Sequence, residues 1–276
     1  MPGHGQRCAG TTFLAVSQPV GGAFGHDANA LFDISATTGA VPQMARLDGS
    51  LLTDIAPFAR LAPSQIREIL DLARPKRFDA GLAVFEEGAP AERFFLLLDG
   101  HIRVVRTTPG GEQIIAMHIP AGQLFGIAPA LGHVTYPATA MTAVESLVLS
   151  WPALHWHDFV ARYDGFGPEA GKMVGQRVGE MNDRIVEMAT LQVEQRIANA
   201  VLRLINQSGC KTEDGIEIAF PITRQDLSEM TGSTLHTVSR LLSQWERDGI
   251  VKSARKRVIV TDPHRLVVIA AGREWP

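Results

Sequence analysis

Three spacings of apolar and polar positions follow one another along the chain. Helical spacing begins with Leu51, Leu52 and Ile55, and Pro63-Ser64 opens a second helix whose Ile66, Ile69, Leu70 and Leu72 share a face. From Arg77 the apolar runs become short: 82–85, 94–98, 102–105, 114–119 and 147–149. Glycines at 81, 88, 100, 110, 111, 122 and 126 punctuate them, which predicts a sandwich or β-roll. Ser150-Trp151-Pro152 then leaves the roll, with the proline placed for the first turn of a helix. After a break at residues 165–168, Val174, Val178, Met181, Ile185 and Met188 recur at spacings of four, three, four and three. This heptad seam, with Gln176, Arg177, Glu180, Asp183, Arg184 and Glu187 between its apolar positions, predicts a long helix that pairs with its copy in a homodimer. An amphipathic helix over 193–205 and a polar loop over 206–214 follow.

The last part of the chain reads helix, tight turn, helix, basic hairpin. Thr223 caps the first helix, with Asp226 placed to complete a capping box, and Leu227 and Met230 form its apolar stripe. Thr231-Gly232-Ser233 makes the turn, and Thr234 caps a second helix with Leu235, Val238, Leu241, Leu242 and Trp245 on one face. Two short helices joined this way deliver the second to the major groove of DNA. Its other face carries His236, Thr237, Ser239 and Arg240, groups able to bond base edges. Lys252, Arg255, Lys256 and Arg257 on the hairpin, with Thr223, Arg224 and Thr234 at the helix starts, complete the DNA-binding set.

Composition narrows the class. A net charge of −3 and a pI near 6.3 argue against a nucleic-acid coat and leave room for a local reader. Two cysteines, Cys8 and Cys210, are too few for a four-cysteine iron–sulfur cluster within one chain. No run approaches the length of a membrane helix, so a cytoplasmic protein without a membrane partner is expected. The expected divisions are a flexible extension at 1–48, a β-roll sensor at 49–165, a dimerisation helix at 166–192 and a winged helix-turn-helix at 193–276, an α+β chain.

Roll, heptad helix and winged reader, in that order, resemble the Crp/Fnr superfamily of bacterial regulators over about residues 50–265. The segments ITRQDLSEMTGSTLHTVSRLL, LLLDGHIRVVRTTPGGEQ and AGQLFGIAPAL carry the likeness. YPATAMTA at 136–143 and GSTLHTVSRLLSQWE look most like the nitric-oxide-responsive NnrR/Dnr branch, which controls denitrification genes. The resemblance implies a cyclic-nucleotide-binding-like roll, a palindromic TTG–CAA-like double-stranded DNA site read by a homodimer, and RNA polymerase as a partner if the protein activates. Ser239 and Arg240 match the family's reading residues, while His236 stands where many members have Glu.

The family's cyclic-AMP binders carry Gly-Glu for the ribose and Arg-Ser or Arg-Thr for the phosphate. Here Gly126 precedes Ile127, the second pair reads Tyr136-Pro137, and the two polar helix residues align with Met181 and Asn182. A buried phosphate without its Arg lacks its main charge partner, so cyclic AMP is not the expected effector. The expected pocket is lined by Leu124, Phe125, Ile127, Leu131, Tyr136, Met181 and Asn182. The NnrR/Dnr likeness implies haem as the nitric-oxide sensor, with His101, His118, His133, His155, His157 and His26 as candidate axial ligands that no spacing separates. His155-Trp156-His157 sits in a predicted helix, where positions two apart face different ways, so it is no metal pair. A cupin-type metalloenzyme is the rival class, but it needs His-x-His on strands of the roll, and no nucleophile elbow or P-loop is present. A constitutive factor with a vestigial roll is the other alternative.

Overall fold

The computed structural model describes residues 48–272. The predicted N-terminal extension, except its last residue, and with it His26, lies outside the described residues. Two short helices, α1 (Ser50–Thr53) and α2 (Pro63–Asp71), lead into a sandwich of two four-stranded sheets. Its strands are β1 (Arg74–Phe78), β2 (Ala83–Phe85), β3 (Arg93–Asp99), β4 (His101–Thr107), β5 (Gln113–Pro120), β6 (Leu124–Phe125), β7 (Thr139–Thr142) and β8 (Ser146–Pro152). One sheet has the order β1-β8-β3-β6 and the other β2-β7-β4-β5, and every pairing is antiparallel. A single 3-10 turn, Ala128–Leu131, follows β6.

The continuous apolar run of β3 follows from burial on both faces. Phe94 packs against Trp151, Trp156 and Phe159 on the helical side, whereas Phe95 and Leu97 point into the sandwich with Ile102, Ile119 and Phe125. Trp151 also donates its indole N–H to the Ile69 carbonyl at 2.8 Å, tying α2 to the roll.

Beyond the roll come α3 (His155–Arg162), the 25-residue α4 (Phe166–Thr190) and α5 (Val193–Ser208). A second sheet-bearing region follows: β9 (Gly209–Thr212), β10 (Gly215–Ile218), α6 (Arg224–Thr231), α7 (Leu235–Arg247), β11 (Val251–Ala254), β12 (Arg257–Val260) and α8 (Pro263–Ala270). Its four strands run in the order β11-β12-β10-β9. Ile197, Val201, Leu204, Leu227, Leu242, Trp245 and Leu266 form its core, and Val105 and Ile115 of the roll join the same cluster.

Several expectations need correction. Pro152 ends β8, paired with Arg93, and the helix starts three residues later at His155. The polar segment after α5 is no loop: Gly215 pairs with Thr212 and Ile218 with Gly209 in a hairpin. Polar strands such as Arg74–Phe78 escaped the apolar pattern because their register is set by β8, not by their own alternation. Leu51, Leu72 and Leu235 are exposed, so these predicted apolar positions lie outside the buried core.

Candidate functional site

The helix-turn-helix is built as its caps require. The Thr223 hydroxyl accepts from the Asp226 amide at 3.0 Å while the Asp226 carboxylate accepts from the Thr223 amide at 2.7 Å. Gly232 closes α6 in the left-handed region at φ 61°, a conformation glycine adopts without Cβ strain. Thr234 then caps α7 by accepting from the Thr237 amide at 3.2 Å. Val238, Leu241, Leu242 and Trp245 are buried, which turns His236 and Arg240 to solvent with Thr237 and Ser239 half-buried beside them. Neither His236 nor Arg240 has a side-chain partner among the described residues, so both are available to a base edge.

The predicted cations do not all stand alike. Lys252 pairs with Asp214 at 2.5 Å, and Arg257 forks onto the Glu217 carboxylate with one arm at 2.6 Å. These acids come from the β9–β10 hairpin, Asp214 from its turn and Glu217 from β10. Arg224 donates to the Ser253 hydroxyl at 3.4 Å, and the Ser253 amide donates to Glu246 at 2.9 Å, linking the start of α6, the end of α7 and the wing. Arg255 and Lys256 have no acidic partner among the described residues, and Lys256 holds the wing tip at φ 61°. Thr223 is committed to its capping box, so its side chain acts on the helix before it acts on any ligand.

A second feature lies where this reader meets the roll. Arg103 of β4 pairs with Asp226 at 2.9 Å, joining the roll to the capping box of α6. His101 and His118 face each other, Nε2 to Nδ1 at 3.0 Å, and the His101 ring stacks on Phe220 with centroids 3.5 Å apart. Burial pushes His101 down to about 2, aided by His118. Burial likewise pushes His118 down to about 4, opposed by Asp226 and aided by Arg103 and Arg184. Both rings are therefore neutral near pH 7. Arg184 of α4 donates to the carbonyls of Ala116, Met230 and, at 3.1 Å, Ile115. One guanidinium thus holds the long helix to both the roll and the end of α6. The heptad position between apolar residues gave no sign that this side chain turns onto its own chain.

The third feature is a cavity of about 240 Å³ between the roll and α4. Phe125, Ile127, Leu131, Tyr136 and Met181 line it as expected. Leu124 and Asn182 do not: successive residues of β6 face opposite ways, which buries Leu124 elsewhere, and Asn182 is exposed outside the lining. Sequence reasoning missed Phe85, Val104, Met117, Ile119 and Arg177 of the lining. Positions 174, 177, 178 and 181 share one helical face, the signal that could have found Arg177. At Gly126 (φ 62°) a Cβ would come within 2.6 Å of the Phe95 ring, so only glycine allows this floor.

The polar groups of the cavity are few. Tyr136 donates its hydroxyl to the Arg93 carbonyl at 2.7 Å, leaving its ring to stack on Phe85 at 3.9 Å. Tyr136 therefore presents an aromatic face to the cavity. For a haem, these residues offer one candidate axial ligand among the described residues. The cavity lies below the roughly 300–1,000 Å³ of drug-sized ligand sites. His101 and His118 are engaged with each other at the seam, and His155 and His157 sit on α3. His133 alone reaches the lining, at its exposed rim. Among the described residues no three His, Cys, Asp or Glu side chains gather as metal ligands.

The long helix also carries an uncovered apolar stripe. Val178, Met181, Ile185 and Met188 remain exposed, Ile185 by 67% and Val178 by 61%. Among the described residues no helix is long and apolar enough to cross a membrane.

Comparison with known proteins agrees with this architecture. Residues 75–163 match the cyclic nucleotide-binding domain family, and residues 195–269 match the Crp-like helix-turn-helix domain family. The chain is 22% identical to the CRP-like cAMP-activated global transcriptional regulator of Mycobacterium tuberculosis, over 76% of this chain and 93% of that protein. It is 27% identical to the global nitrogen regulator of Synechocystis sp., over 79% and 96% respectively. The solved structure of FixK2 from Bradyrhizobium japonicum superposes with a TM-score of 0.64 at 18% identity, covering 74% of this chain and 98% of that one. A sensor-type roll joined to a DNA-reading winged helix, matched over both parts in this order, makes the chain a member of the Crp/Fnr family of DNA-binding transcriptional regulators.

Proposed function

We propose that the protein acts as a homodimer that reads a palindromic DNA site and is gated by a small ligand other than cyclic AMP. The observation that carries the dimer is the exposed stripe of α4, an apolar face on a helix otherwise anchored to its own chain by Arg177 and Arg184. Two copies joined along it present two α7 helices, which read half-sites about one helical turn apart. Ile185→Asp is expected to yield a monomer by sedimentation and to abolish binding to the palindrome. A variant that stays dimeric would remove α4 from the interface.

Site preference follows from α7. Arg240 bonds guanine, Ser239 supports it, and His236 alters the preference at the base pair it faces. Selection from random DNA is expected to return a palindrome close to TTG–CAA with a shifted neighbouring base. A strict TTGAT–ATCAA optimum would count against the role given to His236.

The apolar, aromatic-walled cavity supports a ligand unlike a cyclic nucleotide, because Tyr136-Pro137 offers the phosphate no cation. Occupation of the cavity shifts the balance between arrangements of α4, and α4 reaches the reader through Arg184. Crosslinked dimers with identical DNA affinity in both ligand states would rule that coupling out. A nitric-oxide-responsive role in denitrification rests on the likeness of residues 136–143 and 232–246 to one branch of the family. An absorption spectrum after haem reconstitution tests it, and no Soret band would remove it.

A further inference from the structure

We propose that the cavity between the roll and α4 takes a small apolar carboxylic acid, in its ionised form, with the carboxylate seated on Arg177. The binding step stands on the cavity alone, while its effect on DNA rests on the gating described above.

Among the described residues Arg177 is the one cationic side chain in the lining. Its Nη2 donates to the Gln123 side-chain oxygen at 3.0 Å and to the Leu124 carbonyl at 2.5 Å. Both acceptors are neutral. They satisfy two N–H groups and leave the charge uncompensated. Nη1 and Nε have no acceptor among the described residues, and no carboxylate there forms an ion pair with this guanidinium. Burial holds its pKa below the ordinary value, opposed only by Glu180 one turn along the same helix. The guanidinium is half-buried and its free N–H groups still reach solvent, so an incoming carboxylate can take them with charge-assisted bonds.

The remaining wall decides what carries the charge. Phe85, Phe125, Ile127 and Met181 offer only apolar contact. The Tyr136 hydroxyl is already bonded to the backbone of Arg93, and His133 stays at the rim. A sugar or a nucleobase would bring several polar groups to a surface with no partners for them. The volume, under that of a drug-sized site, suits a single ring or a short alkyl chain.

Titration calorimetry of the full-length protein with phenylacetate and octanoate, against phenylacetamide, octan-1-ol and cyclic AMP, tests this. The carboxylates are expected to bind about tenfold or more tightly than their neutral counterparts. Arg177→Met is expected to erase that preference. Because Arg177 also ties α4 to Leu124, Ile127→Trp serves as a second variant: it fills the cavity, leaves those bonds in place and should lose both carboxylates. Equal affinity for phenylacetate and phenylacetamide, carboxylate binding that survives Ile127→Trp, tighter binding of cyclic AMP, or no binding of either carboxylate at millimolar concentration would each overturn the proposal. Carboxylate binding that leaves DNA affinity unchanged would keep it and sink the gating. A neutral ligand that binds in the cavity and shifts DNA affinity would do the reverse.

Discussion

The reading face of α7 and the seam between reader and roll are both polar, yet they are built on opposite terms. On α7, His236 and Arg240 are exposed and without a side-chain partner among the described residues, held in place by buried Val238, Leu242 and Trp245 beneath them. At the seam, Arg103, Asp226, Arg184 and the His101–His118 pair are committed to one another or to backbone carbonyls. The first region has polar groups waiting for a partner, and the second uses most of its groups to hold two parts of the chain together, with only Arg103 Nε and His118 Nε2 buried there without a hydrogen-bond partner among the described residues. Function at the first is recognition, and at the second it is the position of the recognising element.

The contrast can be broken or sharpened by substitution, beginning with the largest effect. Trp245→Ala removes the buried support under the reading face and should cost about 3–5 kcal/mol in the reader's unfolding, measured with urea. A loss well under that range would mean that the face is not held from below. Asp226→Ala strikes the seam and the capping box at once, and the loss of hydrogen bonds to a charged group should cost about 1.5–3 kcal/mol. A double-mutant cycle with Arg103→Ala separates the two: no coupling energy would show that the ion pair contributes nothing.

Arg240→Ala should leave stability alone and weaken the specific site by about 1–3 kcal/mol in fluorescence anisotropy. Equal loss on random DNA would reduce Arg240 to a phosphate contact. Within the wing, Lys256→Ala should lower affinity for all sequences and reduce the salt slope by about 1. Lys252→Ala should do less, since Lys252 is already paired with Asp214. The reverse order would show that DNA displaces Asp214.

The smallest effect near neutrality is that of pH. Because folding lowers both seam histidines from 6.5 to about 2 and about 4, the unfolded chain binds more protons below 6.5. Their contribution to stability is thus complete above pH 6.5 and is lost as pH falls towards 4. The groups facing His118 are Asp226, Arg103 and Arg184. Protection of the α6 amides against hydrogen exchange, taken relative to the intrinsic rate at each pH, should fall between pH 7 and 5, and His118→Leu should flatten that dependence. Unchanged protection would place the histidines outside the seam's stability.

Much of the reader was legible because its signals are local. Thr223, Asp226, Gly232 and Thr234 act within one turn of helix, and apolar spacing in α7 states which face is buried. The cavity was half legible. Alternation along a two-residue strand could not say which of Leu124 and Phe125 faces inward, and a helical face could place Arg177 beside Met181 without saying what the face meets.

By itself, then, the sequence determined a glycine-turned roll, a long heptad helix and a capped, winged helix-turn-helix, since each depends on contacts a few residues apart. Tertiary structure decided what the heptad arginines do, which wing cations are neutralised, that residues 209–218 form a hairpin, and that His101 meets His118 against Phe220. Those outcomes join residues 17 or more positions apart or rest on strand pairing. A side chain's partner across such a separation is set by how whole elements pack, and periodicity carries no record of that.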